Sequence, residues 1–330
     1  MSIGKLLIKI LALAVVTSLT SCIWFPSARE PGYQHILSWG KTGEDPGEFR
    51  EPIGIAIEGS EVFVSEAGNN RIQVFDLEGN FLYMFGHEGK GPGELGRPML
   101  IDIKDNRIYV PEYLNDRVQV FSLTGEPLET IGSSGKGAAE FDAPGGVAIG
   151  EDGKLYVADF YNHRIQVLGP EGSLHLQLGE TGVKGIRAGL FNYPTDVALL
   201  PGGDIVVADA YNDRIQVFTP DGKFLRKWGG PFAIDIHGSF NGWFKTSTAV
   251  TVGPEGNIFV ADFYNHRIQK FSPKGDFLVA FGSRGKELGK MKFPIDVALD
   301  KEGSVYVVDF GNNRIQKFMQ IKLKERKIKN

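Results

Sequence analysis

The nonapeptide Ala-Asp-Phe-Tyr-Asn-His-Arg-Ile-Gln occurs twice, at Ala158–Gln166 and again at Ala261–Gln269. Looser copies stand between and around these two. Their arginines, Arg71, Arg117, Arg164, Arg214, Arg267 and Arg314, lie 46, 47, 50, 53 and 47 residues apart. A pattern that recurs six times at nearly even spacing marks a structural unit, not a single active site. Each unit holds four short runs rich in Val, Ile, Phe and Tyr, separated by Gly, Pro, Asp and Asn. One example is Pro194–Leu200, Ile205–Asp209, Arg214–Phe218 and Phe224–Trp228. Such runs are strand and hairpin signals, and no stretch beyond the first residues keeps a helical period.

Four antiparallel strands per unit, six units in a row, predict an all-β fold: a six-bladed β-propeller of four-stranded antiparallel blades over residues 33–319. The first unit carries an extra outer-strand piece, Ile36–Gly40, while the last unit stops after its third strand near Phe318. The spacing therefore predicts that Ile36–Trp39 completes the sixth blade and closes the ring, leaving no free edge. Residues 320–330 form a basic tail that reads as a solvated end.

The pattern of Phe or Tyr, Pro, Asp or Gly, Val-Ala, then Val-Ala-Asp, then Asn-His-Arg-Ile-Gln-Val-Phe resembles the NHL repeat family. It is clearest at Phe191–Phe218 and Phe293–Phe318. The resemblance implies a six-bladed propeller. It implies less about activity, because its members include RNA-binding modules, ectodomains of receptor-like bacterial kinases and a class of metal-dependent amidating lyase. Within each unit an acid precedes the arginine by five residues: Glu66/Arg71, Glu112/Arg117, Asp159/Arg164, Asp209/Arg214, Asp262/Arg267 and Asp309/Arg314. Placed across a tight hairpin, each pair makes a charge-assisted bond, and the intervening asparagine (Asn162 in the third unit) is expected to cap the turn. His163 and His266 occupy turn positions held elsewhere by Asn or Asp. They read as turn formers, not metal ligands.

Residues 1–21 have a basic start, a short apolar core (Ile10–Val16) and small residues before Cys22, a secretory leader too short to span a bilayer well. Leu19-Thr-Ser-Cys22 resembles a bacterial lipobox, which implies lipidation of Cys22, the only cysteine of the chain. Residues 22–32 would then tether the propeller to a membrane on its extracytoplasmic side, the outer membrane in a Gram-negative cell.

The chain has 36 basic and 40 acidic residues and a net charge of −4; without residues 1–21 it is −6. The loops between blades share one face with the Asn-x-Arg hairpins and sum to about +1. That is no basic footprint, so nucleic acid is not an expected partner. The same face presents Tyr113, Phe160, Tyr161, Tyr211, Phe263, Tyr264 and Phe310 from hairpins, and Phe232, His237, Phe240, Trp243 and Phe244 from the longest loop. Aromatics on a rigid ring suit recognition of a protein or a saccharide. At the channel entrance the six equivalent positions are Gly54, Leu100, Gly146, Asp196, Ala249 and Asp296, so only Asp196 and Asp296 are channel candidates. No inner-strand histidine set matches the amidating lyases, no catalytic constellation is legible, and no cofactor or metal is expected. The reading is a lipid-anchored binding platform. Its alternative is a hydrolase or lyase with a divalent metal in the channel.

Overall fold

The computed structural model describes residues 26–322; Cys22, the leader and the end of the basic tail lie outside the described residues. Six four-stranded sheets follow one another around a ring. Blades 1 to 5 run through residues 52–85, 102–131, 144–179, 194–228 and 247–281 in strand order from the channel outwards. Blade 6 takes three strands from residues 294–320 and its outermost strand, Tyr33–Trp39, from the other end of the chain. The expected closure is therefore present. Ser38 faces Gln316 and Trp39 faces Ile315, with a bulge at Ile36. Trp39 then lies against Phe75 of blade 1 and Tyr306 of blade 6. A Cβ on Gly79 (φ 82°) would come within 2.6 Å of the Trp39 ring, so that turn needs glycine on both counts.

The apolar runs explain the packing. A strand such as Leu155–Asp159 is buried along its whole length because neighbouring blades cover both of its faces. Ala158, Ile165 and Val167 of blade 3 pack against Val197, Ile205 and Val207 of blade 4, and each further blade pair repeats this arrangement. One aromatic or aliphatic plug per unit, Phe49, Leu95, Phe141, Phe191, Phe244 and Met291, is fully buried between blades. No α-helix occurs among the described residues, and none of their helices is long and apolar enough to cross a membrane.

Candidate functional site

The repeated polar residues form a clamp on the loop that leads into their own blade. In blade 3, Asp159 accepts Arg164 Nε at 2.7 Å and Asn162 Nδ2 at 2.9 Å on one oxygen, and the backbone N–H of Asp142 at 2.8 Å on the other. The remaining guanidinium donors go to the carbonyls of Lys136, Gly137 and Glu140 and to the side chains of Gln177 and Thr181. Gln166 donates to the Glu140 carbonyl and accepts the Ala139 N–H. Asn162 also donates to the Gly135 carbonyl, so it reaches out of the turn it was expected to cap. The six acid–arginine distances are 2.6–2.7 Å and all six carboxylates are buried. A loop of about ten residues thus has its inward carbonyls satisfied by one arginine fork and two amides, which holds it rigid without a core of its own. The arginines are spent on this task and present little charge to solvent.

The histidines belong to a second device. His163 and His266 sit in the left-handed region at φ 57°. Nδ1 of each accepts the backbone N–H of the next blade, from Tyr193 and Phe293 respectively, at 3.1 Å. Asn70, Asp116, Asp213 and Asn313 do the same through Oδ1, to Arg97, Ala143, Thr246 and Glu51. Oδ1 and Nδ1 occupy the same place relative to Cα, which is why Asn, Asp and His interchange here. Histidine stands where the donating residue is aromatic: its ring lies 4.5 Å from Tyr193 and 4.8 Å from Phe293. Burial pushes both histidines below the usual imidazole range, His163 further by Lys184 and His266 by Arg284, so each stays a neutral acceptor.

Around the channel mouth on this clamped face the hairpin aromatics form a collar. Phe160 lies 4.9 Å from Tyr193, Tyr193 lies 5.0 Å from Tyr211, and the Tyr113 hydroxyl donates to that of Tyr161 at 2.7 Å. Phe263 and Tyr264 build a second cluster on Phe293, and Phe310 joins it through Phe263. Tyr193 and Phe293, which sequence reading passed over, are thus the keystones of both clusters. Between the clusters is a recess of about 110 Å³ lined by Ile53, Met99, Tyr113, Phe160, Thr195, Thr248 and Ile295. The Thr195 and Thr248 hydroxyls donate to the backbone carbonyls of Ser247 and Ile295, so the recess is apolar. In the long loop Phe232 is 73% exposed and Phe240 half exposed, with Trp243 against it and His237 near Asp213. Phe244 does not belong to the surface. It is fully buried against Phe271, as the plug of blade 5.

The other end of the channel is a cavity of about 860 Å³ ringed by one aliphatic side chain per blade: Ile57, Ile103, Ile149, Leu199, Val252 and Leu299. Asp196 and Asp296 lie at its floor, and so does Asp102, which the sequence comparison missed because it stands two residues further along its strand. Each carboxyl accepts the next residue's N–H and one from the following blade's inner strand. Asp102 bonds Ile103 and Ile149, Asp196 bonds Val197 and Val250, and Asp296 bonds Val297 and Ile55. The three therefore stitch blade 2 to 3, 4 to 5 and 6 to 1. Burial pushes Asp102 up to about 6 and Asp296 up to about 7, and lifts Asp196, with the Asp296 charge adding to it. Among the described residues no three His, Cys, Asp or Glu side chains converge as metal ligands, and these carboxyl oxygens already hold backbone donors. The donor set does not fit a metal centre.

Six antiparallel blades, each locked by an acid–Asn–Arg–Gln clamp and closed into a ring by the N-terminal strand, define a repeat-built β-propeller. The NHL repeat model matches residues 141–168, 191–218, 248–271 and 291–318, and the chain belongs to the NHL-repeat propellers. Two curated relatives are similar over short stretches: protein brain tumor of Drosophila melanogaster, 32% identical over 78 residues, and protein lin-41 of Caenorhabditis elegans, 44% identical over 48 residues. These stretches cover 22% and 14% of the chain, and only 8% and 4% of those proteins. Among solved structures, a protein of unknown function from Bacteroides thetaiotaomicron superposes with a TM-score of 0.66 at 18% identity, covering 87% of this chain and 75% of that one. A catalytically inactive virginiamycin B lyase from Staphylococcus aureus gives 0.56 at 16%, covering 90% of each. An auxiliary nutrient binding protein from Bacteroides thetaiotaomicron gives 0.61 at 12%, covering 83% and 70%. At such identities the likeness is one of fold alone.

Proposed function

We propose that this chain is a lipid-anchored, extracytoplasmic binding platform whose partner is a protein that places one apolar side chain in the collar. The observation that carries the reading is the apolar recess of about 110 Å³, lined on one side by the packed rings of Tyr113 and Phe160, on a face whose loops are clamped rigid. That volume is well below the roughly 300 Å³ at which small-molecule sites begin, and suits a single side chain of a larger partner. A saccharide is the weaker choice, because its hydroxyls would find no donor or acceptor there. Exposed Leu114 and Tyr161 at the rim extend the apolar contact. Preorganised aromatic anchors of this kind carry most of the affinity of an interface. The alternative, a hydrolase or lyase in the channel, has a cavity of suitable size but carboxyls engaged by the backbone at its floor. The anchor rests on the leader and Cys22. Crosslinking on intact cells identifies the partner; Tyr113→Ala with Phe160→Ala should then weaken its capture by about 30-fold, corresponding to the ~2 kcal/mol of a hot spot. Unchanged capture would dismiss the collar. Cys22→Ala should release the protein from membranes, and retention would dismiss lipidation.

A further inference from the structure

We propose that one half of the clamped face, the rim formed by the loops leading into blades 4, 5 and 6, inserts into the surface of an anionic bilayer and tilts the propeller so that the collar stays open on its Tyr113 and Phe160 side. The inference rests on the lipid-anchor reading and adds an orientation to it.

Three observations coincide on that rim. The first is apolar exposure. The loop into blade 4 exposes Ile186, the loop into blade 5 exposes Phe232 and Phe240, and the loop into blade 6 exposes Leu288 at 67%. The loops into blades 1, 2 and 3 (41–51, 87–97 and 133–142) expose no large apolar side chain. The second is charge. Residues 180–187, 231–245 and 283–292 together carry a net +4, whereas the three opposite loops carry −3. Apolar tips within a cationic surround are what an anionic lipid surface selects. Leu114 and Tyr161 are also exposed on this face, but from hairpins beside the neutral and acidic loops into blades 2 and 3, so apolar tips and positive charge coincide only in the loops into blades 4, 5 and 6.

The third is the path of the tether. The Pro26 carbonyl accepts Asn241 Nδ2 at 2.8 Å, within the loop into blade 5. Arg29 N–H bonds the Leu278 carbonyl, and Glu30 meets Lys270 at 2.7 Å and Gln320 at 2.9 Å. The segment is thus fastened along the outer side of blade 5 and ends at the apolar rim. Cys22 is four residues upstream, within about 14 Å of Pro26 even if fully extended. Acyl chains on Cys22 would enter the bilayer beside Phe232 and Phe240, not beneath the acidic half.

The test uses the full chain, lipidated at Cys22 and reconstituted in vesicles of mixed phosphatidylglycerol and phosphatidylcholine. A single introduced thiol, Phe232→Cys, Leu288→Cys or Lys90→Cys, carries an environment-sensitive fluorophore. Expected are blue-shifted emission at positions 232 and 288, quenching there by nitroxide lipids, and a water-like signal at 90. If the protein floats with the vesicles yet all three positions read as aqueous, the orientation is wrong while the anchor stands. If the protein does not float, the anchor itself fails and this inference with it. If position 232 is shielded in native membranes but aqueous in pure lipid, a protein covers the rim, which also overturns the proposal.

Discussion

Arg214→Met tests whether the clamp, and not the sheet ladders alone, holds the loops. Arg214 and Asp209 are both fully buried, with Nε 2.7 Å from Oδ2. The guanidinium also serves the carbonyls of Ile186, Arg187, Leu190 and Ala233. Removing it leaves a buried carboxylate without its counter-charge, a loss of roughly 3–5 kcal/mol. Asp209 retains Asn212, Gln216 and the Asn192 N–H, and the Leu190 carbonyl retains Gln216. These survivors place the cost near the lower bound, about 3 kcal/mol. Arg314→Met is the internal comparison. Its side chain is 12% exposed and its three carbonyl partners lie in an exposed loop that water can reach, so about 2 kcal/mol is expected there. Asp209→Asn combined with Arg214→Met removes the stranded charge and should recover 1–2 kcal/mol of the Arg214→Met loss, the coupling a double-mutant cycle reads. Urea unfolding followed by tryptophan emission measures all three as midpoint shifts at constant slope. A cost below about 1 kcal/mol for Arg214→Met, or one equal to that of Arg314→Met, would refute the claim that the buried fork holds the loop.

His163→Asn should be nearly neutral, because Oδ1 replaces Nδ1 as acceptor of the Tyr193 N–H, whereas His163→Ala should cost about 1–2 kcal/mol from the lost bond and the left-handed backbone. The folded His163 titrates below its unfolded value, so its contribution is present above about pH 6.5 and lost as pH falls through the depressed value. Asn at 163 should remove that acid sensitivity in thermal melts. The channel carboxyls act in the opposite sense. With Asp296 raised to about 7 from an unfolded value near 3.9, the stability it contributes is full at low pH and declines as pH rises, by about 3 kcal/mol between pH 5 and 8. Asp296→Asn lowers stability at every pH, since its amide faces a backbone N–H, but should flatten this alkaline slope; an unchanged slope would show that another group sets it. Gly146→Ala should destabilise by about 1–3 kcal/mol, because its Cβ would fall 2.1 Å from Asp196 Oδ1, where close packing leaves no room to yield.

The fold was legible because a propeller is built from nearest-neighbour repeats, and repeats announce themselves in one dimension. The acid–arginine spacing was legible for the same reason, since hairpin partners are five residues apart. What lay across blades was not. The bond from His163 to Tyr193 spans 30 residues and that from Asp196 to Val250 spans 54, and nothing in the period says which atoms of adjacent wedges meet. Asp102 escaped because the channel was compared at one layer, while side chains two residues along a strand point the same way. Phe244 was misassigned because Ser247 stands where the other units have proline, three residues after the plug. The insertion ahead of it made a core position look like a loop.

That insertion shows how the unit divides its labour. Arg267 reaches carbonyls 28, 27 and 24 residues upstream, the same offsets at which Arg164, Arg214 and Arg314 find theirs, although the loop before blade 5 is the longest. The extra residues therefore lie before the first clamped carbonyl, that of Gly238, where Phe232, Ala233 and Asp235 take positive φ and the Phe232 side chain is 73% exposed. Everything after that point is bound by carbonyl counts that cannot change without orphaning a buried arginine. Within the insertion, the Ala233 carbonyl, which accepts from Arg214 and Lys227, and the Asp235 N–H, which donates to the Asn212 carbonyl, tie it to blade 4, while its exposed side chains can change without disturbing a blade. A surface specific to this chain, as opposed to one inherited from the repeat, is thus to be sought first at residues 229–238. This is also the part of the face beside which the N-terminal tether is fastened, through Asn241.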